Sequence, residues 1–157
     1  MTDAYTFHLY AEGRGRRRAI GFVLGAGLSA GPFFEGLQGT AEREFRDRFD
    51  MWLDGQEFKK YFHGWDVPEF RDCFEFKRQN QRLFGFKCHP SPHTNPRLLL
   101  CALGYYDTKE GEEADKAMLG RVNRLRDDDA VTQAIRKTYP EYGVRHGNRN
   151  TLDRKKH

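Results

Sequence analysis

No apolar run in this 157-residue chain approaches the ~18 residues a membrane-crossing helix needs. The N-terminal stretch is polar and has no apolar core, so no secretory signal is expected. Cysteine is scarce: three residues, none in a CxxC spacing, which argues against a disulfide framework and for a reducing compartment. A cytoplasmic location without membrane contact is the expectation. Acidic residues are missing from one long stretch. Between Lys77 and Tyr106 stand five Lys or Arg (Lys77, Arg78, Arg82, Lys87, Arg97) and no Asp or Glu. No Ser or Cys is spaced with a base and an orienting group as a nucleophile would be.

Two further motifs are too weak to carry chemistry. Gly25-Ala-Gly27-Leu-Ser-Ala-Gly31 is superficially like a dinucleotide loop, but its third glycine is one residue late and no βαβ context follows. Cys88-His89 and His93 bring three donors into one short loop, yet adjacent Cys and His ligands are unusual for zinc and no second paired motif exists. Neither a metal nor a cofactor is expected.

What the chain does have is aromatics: 13 Phe, 7 Tyr and 2 Trp, enough to build a core despite an apolar content of 38%. Its net charge of +4 is local rather than uniform. The basic patches are Arg14 to Arg18, Lys77 to Lys87, and the tail from Lys137, which holds six Lys or Arg against Glu141 and Asp153. Patches of cations without counter-charges suit a polyanion.

Tyr5 to Tyr10 alternates and reads as a strand. Ala19 to Leu24 is a short apolar run, strand or helix start, and the Gly-rich stretch to Gly39 is left open. Thr40 to Asp54 reads as a helix capped by Thr40 and ended by Gly55, with Ala41, Phe45, Phe49 and Trp52 on one stripe. Lys59 to Pro68 reads as an aromatic-rich connection with room for one short element. Phe70 to Lys77 and Arg82 to Cys88 read as an antiparallel pair around the turn Arg78-Gln-Asn-Gln81. Leu98 to Leu103 reads as a central strand, and Glu112 to Arg126 as a helix with Ala114, Met118, Val122 and Leu125 buried. Asp127 to Asp129 breaks it before a last helix near Ala130 to Thr138. Tyr139 to His157 is expected to be loosely ordered.

The order of strand, helices, hairpin, central strand and helix resembles the RelE/ParE/HigB toxin superfamily, especially its phage-associated branch. The matching segments are Gly55 after the helix, Phe74-Glu75-Phe76-Lys77, Gln81-Arg82-Leu83-Phe84-Gly85-Phe86, Leu103-Gly104-Tyr105-Tyr106, and the helix bearing Ala114, Ala117, Arg121 and Arg124. They span roughly residues 40 to 126. Members commonly carry a Lys-Lys or Lys-Arg pair after the Gly-aromatic step; this chain has Tyr106, Asp107 and Thr108 there, with a single Lys109.

The resemblance implies an α+β fold with a small antiparallel or mixed sheet of 3–5 strands packed by two or three helices. Residues 1–39 would add a strand and a Gly-rich segment, 40–130 the toxin-like core, and 131–157 a basic extension. It also implies a toxin of a type II toxin–antitoxin module, either a ribosome-dependent mRNA endoribonuclease or a gyrase inhibitor. Its partners would be mRNA on the ribosome and a cognate antitoxin. A non-catalytic module binding nucleic acid or a host protein is the alternative on the same fold.

For cleavage, Arg82 is the first candidate to hold the phosphate, because its fork of donors matches two phosphate oxygens. It could equally be a strand-edge partner of Glu75. Glu75 and His89 are candidate bases or acids, and Tyr106 a hydroxyl donor. Lys77, Arg78, Lys87, Arg97 and Lys109 would extend the cationic surface, with Tyr105 available to stack on a base.

Overall fold

The computed structural model describes residues 4–109 and 115–143. Tyr5–Glu12 (β1) and Arg18–Gly25 (β2) pair antiparallel. Two helices follow, Ala30–Glu35 (α1) and Gly39–Leu53 (α2). Phe62–Gly64 (β3), Cys73–Arg78 (β4), Gln81–Cys88 (β5) and Leu99–Thr108 (β6) complete one six-stranded sheet in the order β1-β2-β6-β5-β4-β3. Lys116–Asp127 (α3) and Asp129–Arg136 (α4) come last. The β2–β6 pair is parallel and the others are antiparallel.

The fold class is α+β, as expected, but the sheet is larger than the 3–5 strands foreseen, and the described residues hold four helices. Two stretches account for the difference. Ala19 to Leu24 is a full strand; Ala19 to Val23 are all buried, and a strand covered on both faces shows no alternation to distinguish it from a helix. The aromatic connection after Lys59 adds β3 at the sheet edge.

Both faces of the sheet are covered. On one, α1 and α2 pack Phe45, Phe49 and Trp52 against Ile20, Phe74, Phe76, Leu83 and Leu103. On the other, α3 and α4 pack Leu119, Val122, Leu125 and Ile135 against Phe84, Phe86, Leu100 and Ala102. The two strands before Thr40, β1 and β2, lie in the same sheet as the rest, and α4 packs against β1.

Local expectations hold unevenly. Gly55 ends α2 with φ +88, and its N–H bonds to the Trp52 carbonyl at 2.9 Å. Thr40 does not cap α2: the helix begins at Gly39, the flanking residue is Gln38, and no side chain caps it. Phe70 lies in a short 3-10 turn and not on β4, so it packs under α3 rather than beside Phe74 and Phe76. Gln79 and Asn80 form the two-residue turn between β4 and β5, with Gln79 at φ +54. Asp115 and Asp128 cap α3 and α4 through the Met118 and Ala130 amides. The part of the expected Glu112–Arg126 helix before Asp115 lies outside the described residues. Tyr139 is packed rather than loose: it is buried, and its hydroxyl donates to the Glu12 carboxylate at 2.9 Å. The rest of the tail, 144–157, lies outside the described residues.

Gly85 marks the tightest point in the sheet. The β5–β6 register shifts between Phe84 and Gly85, and a Cβ at Gly85 would stand 2.1 Å from the Ala102 carbonyl oxygen and 2.8 Å from Leu103 Cα. Both are backbone atoms on a central strand and have no room to retreat. Gly85→Ala should therefore lower stability by about 2 kcal/mol or more in urea unfolding. An unchanged midpoint would show that β5 and β6 do not approach this closely.

Candidate nucleic-acid interface

The period of two along β4 sorts its side chains. Phe74 and Phe76 enter the core under α2, so Cys73, Glu75 and Lys77 face the α3 side. On β5, Phe84 and Phe86 enter the α3-side core, which puts Arg82 on that same side. Register then brings Lys77 directly opposite Arg82, and His63 of β3 directly opposite Glu75. Helix α3 covers this face where Cys73 meets Leu119 and Asn123, and leaves the end near the β4–β5 turn uncovered.

A cavity of about 620 Å³ opens at that uncovered end. Six cations line it: Arg48, Lys59, Lys60, Lys77, Arg82 and Lys109. Glu75 is the one carboxylate among them, and His63, Tyr61 and Trp65 form the β3 wall. Among the described residues, Lys59, Lys60, Lys77 and Lys109 make no ion pair. The cleft is therefore strongly positive and partly walled by protein, which concentrates its field.

Two arginines are held in place. Arg48 donates from Nε to the Lys77 carbonyl at 2.8 Å and from Nη1 to the Glu44 carbonyl at 3.0 Å, and its guanidinium lies 4.3 Å from the Tyr61 ring centre. Arg82 donates from Nη1 to the carbonyls of Gln79 at 2.5 Å and Gln81 at 3.0 Å. Its Nε stands 3.6 Å from Glu75 Oε1, with side-chain exposures of 11% and 3%. That separation is an ion pair but not a hydrogen bond. The buried Arg82 Nε–H thus has no acceptor among the described residues, an unusual state for a buried donor.

His63 was not foreseen as a site residue. Its ring meets Trp65 edge-on with centroids 4.5 Å apart. Burial pushes its pKa below the usual histidine value, and Lys77, Lys109 and Lys59 push it the same way. The shift favours the neutral imidazole, the form that can take a proton. No local pattern in the sequence singles His63 out: Lys59 to Tyr61 form a turn and only Phe62–Gly64 is extended, so His63 enters the site through the pairing of β3 with β4.

Of the residues singled out from sequence, Glu75, Lys77, Arg82 and Lys109 meet in this cleft. The others lie elsewhere. Tyr106 points to the opposite face, its ring stacked 3.6 Å from Phe33. Tyr105 is on the cleft's face but packs half-buried against the α3-side core, which raises its pKa. Arg78 is turned to α2, where it pairs with Glu44 at 2.7 Å. Lys87 and His89 lie at the far end of β5; six residue steps lead from Arg82 to Cys88, about 20 Å. There Lys87 Nζ sits 5.6 Å from the Phe74 ring, and His89 Nδ1 is 3.0 Å from the Leu98 carbonyl. Arg97 lines a separate cavity with His89. The Cys88, His89 and His93 loop does not assemble a ligand set: no group of three or more His, Cys, Asp or Glu is placed to hold a metal among the described residues.

The shifted histidine is directly measurable. In an NMR titration His63 should show a midpoint below 6.5, and removing Lys77 or Lys109 as alanine should move it upward, because each removal lifts a repulsion on the imidazolium. A midpoint at or above 6.5 would contradict the placement of those ammonium groups.

No protein-family model, no curated protein and no solved structure matches the chain.

Proposed function

We propose that this chain is a RelE-like toxin of a type II toxin–antitoxin module, and that it cleaves mRNA on the ribosome in the cleft between β3, β4 and β5. The observation that carries the reading is the assembly, at an uncovered end of a sheet face, of His63, Arg82 and four lysines that make no ion pair among the described residues. The family resemblance rests on the order strand, helices, hairpin, central strand and helix; the described residues carry that order with a second leading strand and with β3 inserted between α2 and the β4–β5 hairpin.

In this reading the RNA 2′-oxygen attacks the adjacent phosphorus, the P–O5′ bond breaks, and a 2′,3′-cyclic phosphate and a 5′-hydroxyl result. His63 Nε2 or Nδ1 takes the 2′ proton. The Arg82 guanidinium and the Lys77 ammonium meet the charge that develops on the non-bridging oxygens. A rim ammonium, Lys109 or Lys59, supplies the proton to the leaving O5′. Glu75 keeps the Arg82 guanidinium oriented rather than acting as the base. Trp65 offers a ring on which a splayed base stacks, which favours single strands. The antitoxin would silence the protein by covering the cleft with acidic side chains.

One observation favours binding without cleavage: Asp107 stands opposite Arg82 in the β5–β6 register, where relatives of this kind commonly place a lysine. The experiment separates the two. Purified protein is incubated with translating ribosomes, and mRNA ends are mapped by primer extension. Cleavage is expected, with its rate reduced about 10²-fold or more in His63→Gln and Arg82→Ala. Its acidic limb should fall at a pH below 6.5, since the base is active only when deprotonated and its pKa is lowered. Salt-sensitive RNA binding with intact mRNA would select the non-catalytic module. Absence of both would reject the cleft as a nucleic-acid site.

A further inference from the structure

The arginine run Arg14 to Arg18 takes no part in the cleft. It forms the tip of the β1–β2 hairpin, with Gly15 at φ +72 and Arg16 at φ +51. A left-handed arginine persists only where its surroundings impose it, and such strain gathers at functional loops. Here the surroundings are explicit. Gly13 packs against the end of α2 so closely that a Cβ would stand 2.5 Å from the Leu53 carbonyl oxygen. The Gly13 amide donates to the Arg18 carbonyl at 2.8 Å, the Asn95 side-chain amide to the Arg16 carbonyl at 2.9 Å, and the Leu99 amide to the Arg17 carbonyl at 2.9 Å.

This fixed loop borders a cavity of about 900 Å³, larger than the cleft. Arg14, Arg17, Arg18, Arg97 and His89 line it, with Asp54 the one carboxylate. Arg18 is spent on the Trp52 carbonyl and Glu57. Arg14, Arg17 and Arg97 are exposed and make no ion pair among the described residues. One exposed arginine is ordinary; three unpaired forks around one cavity on a pinned backbone are a match for phosphate oxygens. Neither exposed large apolar residue, Phe58 or Val67, lines the cavity, so nothing there would insert into a lipid surface.

The cavity is not an extension of the cleft. Arg18 pairs with Leu99, where β6 begins, whereas Lys109 follows its end; the ten residues of β6 span about 33 Å. Leu53 and Leu99 also place the cavity on the α2 side of the sheet. A short strand held in the cleft cannot reach it, but an RNA stem longer than one helical turn covers the same distance.

We infer that Arg14, Arg17 and Arg97 form a second phosphate-binding site, which grips the backbone of a folded RNA while the cleft holds a single strand. The inference extends the reading of the cleft as an RNA site. Two linked sites would raise the local concentration of the single strand near the cleft.

Two probes separate the sites in fluorescence anisotropy over a salt series: a single-stranded tetranucleotide, too short to span them, and a long RNA hairpin. The full chain is compared with R14E/R17E/R97E, with folding checked by thermal melting. Arg97→Glu alone, outside the hairpin tip, serves if the triple variant does not fold. Hairpin affinity should drop at least about tenfold, and its salt slope should fall by about 2–3, roughly 0.9 for each phosphate no longer neutralised. Tetranucleotide affinity should stay within about twofold. The inference is overturned if both probes weaken equally, if hairpin binding is unchanged, or if the parent chain does not bind the hairpin. A parent that binds the hairpin but not the tetranucleotide rejects the cleft and leaves this second site standing.

Discussion

The Glu75–Arg82 ion pair is the constraint on which the cleft depends. Glu75 is 2% exposed at the centre of a ring of cations. Without its charge, Lys77 and Arg82, directly opposite on neighbouring strands, would repel across the sheet. With it, the Arg82 guanidinium is held beside Glu75, and the backbone carbonyls of Gln79 and Gln81 fix its Nη1. Removing one partner of such a buried pair typically costs about 3–5 kcal/mol, because the other charge stays buried and uncompensated. The pair therefore contributes mainly geometry: it permits a dense positive surface on a strand hairpin that would otherwise resist forming.

The rest of the sheet serves to leave that surface open. Aromatic side chains fill the α2 side almost to the turn: Phe49 meets Phe76 at 4.8 Å and Trp52 meets Phe74 at 5.5 Å. On the opposite side α3 ends its contacts near Cys73, and the neutral half of the face gives way to the charged half. Edge strand β3 then adds a wall rather than a cover. The same architecture explains why the two basic patches within the described residues do not merge. Lys77 and Arg82 sit at one end of the sheet, and Arg14, Arg17 and Arg97 at the other on the reverse side; the tail beyond 143 lies outside the described residues.

Much of the fold was legible because its signals are periodic. The stripe Phe45, Phe49, Trp52 gave α2, the alternation around Phe74 and Phe76 gave β4, and the run from Leu98 gave β6. β2 was ambiguous because full burial erases alternation, and β3 was hidden because three residues are too few to show a period. The site was half legible. Charge counting found Lys77 and Arg82, and register could be guessed well enough to pair Glu75 with Arg82. Sequence proximity misplaced His89, since a strand carries its two ends far apart, and strand parity misplaced Tyr106, which faces the opposite core. His63 required knowing that β3 pairs with β4, a contact between segments that no local pattern announces.

The central claim is that a sugar–phosphate chain lies on the uncovered end of the α3-side face. The most direct measurement is a two-dimensional amide NMR titration of the full chain with a single-stranded RNA tetranucleotide. Shifts confined to 59–65, 75–82 and Lys109, with α3 and the β1–β2 hairpin still, are the expected result. Shifts centred on Arg14 to Arg18 or on α3, or no saturable shifts at all, would contradict it.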